Sequence, residues 1–306
     1  MDRFPEEIWS DIFQFACCDI DDGGATGHSL SLVSKDVKRI SYPVQLHSVA
    51  LPTLDKMVAF MDMLRAHPER ARDQCIRHLS VSHHCCGHGK RNDHHFSTLI
   101  TTVDLLLHAV GQQLHSLHLH FTTLENREFP IELPEMPALR ELSIDAAAMY
   151  CEFPVPLPSL RHLRISNCET VRQLAAVSQA MHNPLSALPE LRYIDISHNL
   201  HLNGATKVLT FLLGIPQDAL NPLSASHKGT LGKESHEKAV DKIEKIVYKW
   251  QTPDLEGIWN LSVGLFVQDV NRLLKLERLA KGRLTVVQPP GYEQKYNEEA
   301  SMWAFR

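Results

Sequence analysis

At 306 residues the chain exceeds what one hydrophobic core usually supports, and it calls for about two units or a small module on a larger body. Its 43% hydrophobic and 22% charged content is ordinary for a globular protein, and a net charge of −5 gives no support to nucleic-acid binding. No apolar run approaches the ~18 residues of a membrane helix, so no membrane partner is expected; Leu99–Val110 is interrupted by Thr101, Asp104 and His108. Seven cysteines, an odd set without framework spacing, predict free thiols in a reducing compartment, cytoplasmic or nuclear. The start, Met1 to Glu6, has no basic, apolar signal-peptide character.

Residues 4–16 read as the first helix, with Pro5 at its start and Glu6 and Glu7 in its first turn. At about 100° per residue, Phe15, Ile8, Ile12, Ala16, Trp9 and Phe13 fall on an arc of roughly 160° opposite Glu6, Glu7, Ser10, Asp11 and Gln14. A module of about fifty residues buries only ~60% of its unfolded surface, so a stripe this wide predicts a partner. Packing of the same helix inside the chain is the competing expectation.

The acidic, glycine-rich run Asp19–Gly27 interrupts the pattern. Leu30, Val33, Val37 and Ile40 then predict one further helix ending at Pro43, with Lys35, Lys38 and Arg39 off its stripe. Leu46, Val49 and Leu51 are expected to close a small helical domain spanning 1–51. A helix over Leu54–Arg72, carrying Met57, Phe60, Met61 and Leu64, is expected to form a linker across 52–75.

From residue 76 a short pattern recurs: Ile76-Arg77-His78-Leu79-Ser80-Val81, Leu114-His115-Ser116-Leu117-His118-Leu119 and Leu139-Arg140-Glu141-Leu142-Ser143-Ile144. It continues in Leu160-Arg161-His162-Leu163-Arg164-Ile165 and Leu191-Arg192-Tyr193-Ile194-Asp195-Ile196, which reach Cys168 and Asn199. Each is apolar-x-x-apolar-x-apolar, the strand segment of a leucine-rich repeat, in which neighbours stack because no single repeat buries its own apolar row. The expected fold class is therefore α/β: a small N-terminal helical domain joined to an irregular solenoid over 76–306, with parallel strands on the concave side and helices and loops outside.

Between strands, Phe96–Val110 is expected to be helical, with Leu99, Val103, Leu106 and Val110 in phase. Prolines at 130, 134, 137, 154, 156 and 158 argue for extended or 3₁₀ connections. Thr170–Met181 is a further helix candidate, and 221–234 reads as a flexible insertion. Ser235–Trp250 reads as an amphipathic helix with Val240, Ile243, Val247 and Trp250 on one face. Ile258–Val263 and Leu284–Val287 read as strands, separated by a helix Gln268–Lys281 that stops at Gly282.

The segments Phe4-Pro5-x-Glu7-Ile8-x3-Ile12-Phe13 and Leu30-x-Leu32-Val33-Ser34-Lys35, followed by Leu46, resemble an F-box. The run from Phe4 to Leu51 is similar to F-box-like proteins of basidiomycete fungi, many of which carry irregular leucine-rich repeats. The resemblance implies a substrate receptor of a cullin–RING ubiquitin ligase of the SCF type. The F-box would dock on the Skp-type linker protein through Phe4, Pro5, Ile8, Ile12, Phe13, Leu32, Val33 and Lys35, and the repeats would hold a protein target. Three departures stand out. Phe4 replaces the commoner leucine, the insertion between the two blocks is long, and Val37 and Lys38 occupy the place of a frequent tryptophan. A ligase-independent repeat scaffold with an internally packed first helix is the alternative.

On the repeats, Ser80, His118, Ser143, Arg164 and Asp195 lie between the two core positions of each strand, so they are expected to face outward as a target-binding surface. The run His83-His84-Cys85-Cys86-Gly87-His88 with His94-His95 offers zinc-type donors. It lacks a Cys-x2-Cys pair, and adjacent ligands seldom reach one tetrahedral ion, so neither metal nor cofactor is expected. No cysteine has a recognisable activating signature, Gly23-Gly24 lacks the context of a phosphate loop, and no enzymatic activity is expected.

Overall fold

The computed structural model describes residues 4–19, 22–68, 75–84, 93–122, 129–145, 149–152, 156–168, 188–198, 202–215, 219–220, 243–250 and 260–289. The chain divides into two compact units, Met1–Arg161 with Ala187–Glu190, and His162–Ser186 with Leu191–Arg306. Both are α/β, with parallel strands and helices between them.

The first unit opens with three helices, α1 (Glu6–Ala16), α2 (Ala25–Val33) and α3 (Lys35–Ser41). Their shared core is Phe13, Cys17, Val37, Ile40 and Val44, with Trp9 and Leu30 packed against it. The single helix expected from Leu30 to Ile40 is two. Ser34 is extended (φ −161°, ψ 167°), and its hydroxyl accepts the Val37 N–H at 3.2 Å, ending α2 and capping α3. Val33, expected on the buried stripe, is therefore exposed, whereas Val37 and Ile40 are buried.

Ser48–Leu51 does not close a helical domain but forms β1, the first strand of the unit's sheet. It pairs in parallel with β2 (His78–His84), β2 with β3 (Ser116–Thr122), and β3 with β5 (Glu141–Asp145). Consequently α4 (Leu54–Ala66), expected as a linker, is the crossover helix between β1 and β2. It buries Met57, Met61 and Leu64 and contacts β1 and the next helix, α5 (Asp93–Val110). The expected face of α5, Leu99, Val103, Leu106 and Val110, is buried together with Leu107.

Every strand of this sheet turns its two pattern positions inward, and Val49, Leu51, Leu79, Val81, Leu117, Leu119, Leu142 and Ile144 are all buried. A separate parallel pair, β4 (Phe129–Glu132) with β6 (Met149–Glu152), lies within the proline-rich stretch expected to make extended or 3₁₀ connections.

The glycine-rich run before α2 packs directly on β1. The Ala50 N–H donates to the Gly23 carbonyl at 3.4 Å, and Gly24 (φ +90°) comes so close that a Cβ would meet the Ser48 carbonyl oxygen at 2.7 Å. The Ser48 hydroxyl donates to the Cys17 carbonyl at 2.8 Å. Helices and sheet are thus tied through Cys17, Gly23 and Gly24 on one side and Ser48 and Ala50 on the other.

In the second unit, β7 (His162–Cys168), β8 (Tyr193–His198), β9 (Lys245–Trp250) and β10 (Leu284–Val287) pair in parallel in that order, with a register shift between Ile165 and Cys168. Two helices, α6 (Leu202–Leu213) and α7 (Asn260–Leu279), contact each other. The helix expected over 235–250 is a strand where it is described. From 245 the burial alternates, with Ile246, Tyr248 and Trp250 inside and Lys245 and Lys249 out, a two-residue period that overrode the helical one. The strand expected from Ile258 is helix α7 from Asn260 onward, whereas Leu284–Val287 is a strand as expected. The chain leaves α7 through left-handed Lys281 (φ 50°) and Gly282 (φ +88°). The expected helix 170–181 and insertion 221–234 lie outside the described residues.

Candidate functional site

The first helix separates its apolar residues into two sets. Phe13, 5% exposed, lies in the module's own core, and its ring centroid is 5.8 Å from that of Trp9. Trp9 in turn meets Phe4 edge-on at 6.2 Å. By contrast Phe4, Ile8, Ile12 and Phe15 on or beside α1, and Leu32 and Val33 at the end of α2, are 46% to 87% exposed. Pro5 and Lys35 are also exposed, Pro5 just before α1 and Lys35 at the first position of α3.

Of the eight candidate docking residues, then, Phe13 points inward and holds the helix down. The other seven reach solvent. Arg39 anchors the start of α1 by a two-pronged bond to Glu6, at 2.7 and 3.0 Å. That bond draws the Glu6 carboxyl below its ordinary range and raises the Arg39 guanidinium.

The candidate target face falls into two groups, one in each unit. In the first, Ser80 pairs with His118 and His118 with Ser143, so the three stand in one row across β2, β3 and β5 with Ala50 of β1 beside them. All three are half-buried. Two residues further along β3 the imidazole Nδ1 of His120 lies 2.7 Å from Asp145, a carboxylate whose side chain is nearly inaccessible.

In the second unit Arg164 pairs with Asp195 across β7 and β8. Asp195 does not stand open as expected. It is buried, with Lys249 Nζ at 3.1 Å and Arg164 Nε at 3.5 Å. Two cations converging on one carboxylate compensate its desolvation. Nearby, Glu244 accepts Arg192 at 2.7 Å and the Tyr193 hydroxyl at 2.5 Å, which lowers the Glu244 carboxyl and raises the Tyr193 phenol.

The register exposes a set of residues that the outward-facing rule missed. His47, Arg77, His115, Arg140 and Arg161 each precede a strand by one position or directly follow a repeat's first apolar residue. The backbone aligns them: His47 O accepts Arg77 N at 3.0 Å, Arg77 O accepts His115 N at 2.7 Å, His115 O accepts Arg140 N at 2.8 Å, and Arg140 O accepts Arg161 N at 2.9 Å. Burial, then Arg77, His78 and His115, push the His47 imidazole down to about 4. Burial followed by Arg77 and Arg140 lowers His115. Burial, and next His115, lower His78, against an opposing pull from Glu141. The sequence signal was the basic residue recurring after each repeat's first apolar position.

Among the described residues no group of three or more His, Cys, Asp and Glu side chains could hold a metal ion, and no helix is long and apolar enough to cross a membrane. Within the His/Cys run, His83 and His84 belong to β2, and the His83 and His95 ring centroids lie 5.4 Å apart at a 35° tilt. Residues 85–92 lie outside the described set. The buried Cys17 thiol is pushed up to about 11 by desolvation, with Asp22 adding to it, which makes it a poor nucleophile at neutral pH. Comparison with known protein families, curated proteins and solved structures finds no match to this chain.

Proposed function

We propose that the chain is a substrate-recognition subunit of an SCF-type cullin–RING ubiquitin ligase, acting in the cytoplasm or nucleus. Its N-terminal helices dock on a Skp-type linker through Phe4, Pro5, Ile8, Ile12, Leu32 and Val33, with Lys35 at the edge, and the strand-bearing body holds a protein target as a leucine-rich-repeat solenoid. No catalytic role is proposed; ubiquitin transfer belongs to the other subunits.

One observation supports this reading above the rest. The module has a core of its own around Phe13, yet large apolar side chains of α1 and α2 remain in water. Surplus apolar surface beside a completed core is the mark of an interface. The same exposure weighs against the alternative of an internally packed first helix.

The test is capture of a purified Skp-type linker by the full-length chain at micromolar concentration, compared with an Ile8→Asp/Ile12→Asp double variant. Burying the exposed half of each isoleucine contributes about 1 kcal/mol, so the double variant loses at least roughly thirtyfold in affinity while its thermal melt stays with the wild type. A wild-type chain that ignores the linker overturns the proposal.

A further inference from the structure

We propose that the column His47, Arg77, His115, Arg140 and Arg161 of the first unit is a receptor for an extended anionic peptide segment, its charge carried by carboxylate or phosphate side chains. The proposal deepens the receptor reading by naming the chemical class of the target segment, and rests on that reading only for the word target.

Three features of the column carry it. The first is alignment. Paired backbone bonds lock the first four members one strand apart, and a single bond holds Arg161 to Arg140: His47 O also accepts His78 N at 2.8 Å, Arg77 O also accepts Ser116 N at 3.0 Å, and His115 O also accepts Glu141 N at 3.0 Å. Strands are ~4.8 Å apart, so Arg77 to Arg161 spans about 14 Å, the length of four or five extended residues.

The second is the want of counter-ions. Arg39, Arg65, Arg164, Arg192 and Arg272 each have a carboxylate within ion-pair distance. Among the described residues Arg77, Arg140 and Arg161 have none, although Arg140 and Arg161 are exposed and Arg77 is half-buried. A row of strand starts that keeps three guanidinium groups unneutralised, two of them adjacent, pays in self-repulsion unless an anion covers it.

The third is an orphaned donor. Arg77 Nε is buried and bonds to no described group. Leaving such a donor unpaired is destabilising. The side-on fork of a guanidinium, Nε–H with one Nη–H, is the edge a carboxylate or phosphate takes in a two-pronged bond. Beside it, burial and the neighbouring cations hold His47 and His115 in the neutral form, so the permanent positive charge comes from arginine.

A peptide fits better than a nucleic acid. The chain as a whole carries −5, so its long-range field repels a polyanion and only a short anionic segment gains from the column. Glu141, on the outward face of β5, opposes the column locally and shortens the stretch an anion can cover.

The experiment uses the full chain without any linker and fluorescence anisotropy of three labelled eight-residue peptides: one rich in Asp and Glu, one with phosphoserine at the same positions, and one with serine there. Both anionic peptides are expected to bind with steep salt dependence and the serine peptide at least tenfold more weakly. The stronger of the two identifies the source of the charge. Arg140→Gln/Arg161→Gln, at exposed positions that leave the fold intact, weakens anionic binding at least tenfold. Arg77→Gln weakens it further, while Arg278→Gln, an exposed arginine elsewhere, changes nothing. Equal binding of all three peptides, no binding at millimolar concentration, an unaffected Arg140→Gln/Arg161→Gln variant, or tighter binding of a single-stranded oligonucleotide each overturns the proposal. Linker capture is measured on the same preparation without peptide, so failure of one reading leaves the other standing.

Discussion

Phe13 and Phe15 lie two residues apart on one helix, share one side chain, and sit at opposite extremes of burial, 5% and 87% exposed. Replacing each by alanine removes the same atoms, so any difference in stability measures environment alone. Phe13 packs with Cys17, Val37, Ile40 and Val44, and its loss leaves a cavity among them. Core Phe→Ala changes cost ~3–5 kcal/mol. For Phe15 only about an eighth of the side chain is covered, and full burial of such a side chain contributes ~1.5–3 kcal/mol, which leaves roughly 0.2–0.4 kcal/mol to lose. In urea, with slopes of ~1–3 kcal/mol per molar, Phe13→Ala should move the midpoint of the N-terminal transition down by a molar or more, and Phe15→Ala by a few tenths at most. Circular dichroism during urea titration reads both. Equal shifts, or a larger one for Phe15→Ala, would refute the division of α1 into an inner and an outer face and with it the case for docking.

Burial and its cationic neighbours lower His47 from 6.5 to about 4. The unfolded chain therefore takes up a proton that the folded chain refuses as pH falls from 6.5 toward 4, and stability present above pH 6.5 is lost through that window. The shift sets a ceiling of about 3 kcal/mol, and water admitted on protonation reduces it to about 1–2 kcal/mol. A His47→Gln variant should show a flatter melting profile between pH 7 and 4.5, and a profile parallel to wild type would count against the assignment. Gly27→Ala would ordinarily favour a helix by ~0.8–1 kcal/mol, but here the new Cβ meets the Gln45 carbonyl oxygen and lies 2.9 Å from Gln45 Cα. A net loss of about 1–3 kcal/mol is expected, and a raised melting temperature would show that α2 does not press on residue 45. Removing residues 1–51 deletes β1 and bares the edge of β2, so the 52–306 fragment should elute from gel filtration as larger species than the full chain; a clean monomer would sink that expectation.

The strands legible in the sequence are those in which the repeat pattern had no rival. Around Leu79, Leu117, Leu142, Leu163 and Ile194 nothing else competes for the apolar residues, and each is buried in a strand. The same pattern occurs in Leu46-His47-Ser48-Val49-Ala50-Leu51 and in Ile243-Glu244-Lys245-Ile246-Val247-Tyr248, but in both a helical reading competes with it. Leu46 to Leu51 follows two helices and reads as their closure. The run ending at Trp250 has Val240, Ile243, Val247 and Trp250 at helical spacing, and only the burial of Ile246 and Tyr248 decides for the two-residue period. Single-sequence periodicity ranks the two alternatives, but contacts from distant strands choose between them.

The docking surface was legible to a different depth. A helical wheel gives the phase of an apolar arc but not which part of it meets the rest of the chain, so Phe13 stood beside Ile8 and Ile12 as an equal. What settles Phe13 is α3, whose start is fixed by the Ser34 hydroxyl on Val37 N and which brings Val37 and Ile40 onto that part of the arc. The capping residue also ends α2 at Val33 and leaves Leu32 and Val33 in solvent. One side-chain hydrogen bond thus both completes the inner core and keeps the outer apolar residues free. A polar residue within an apolar stripe therefore weighs as heavily on an interface as the apolar residues beside it.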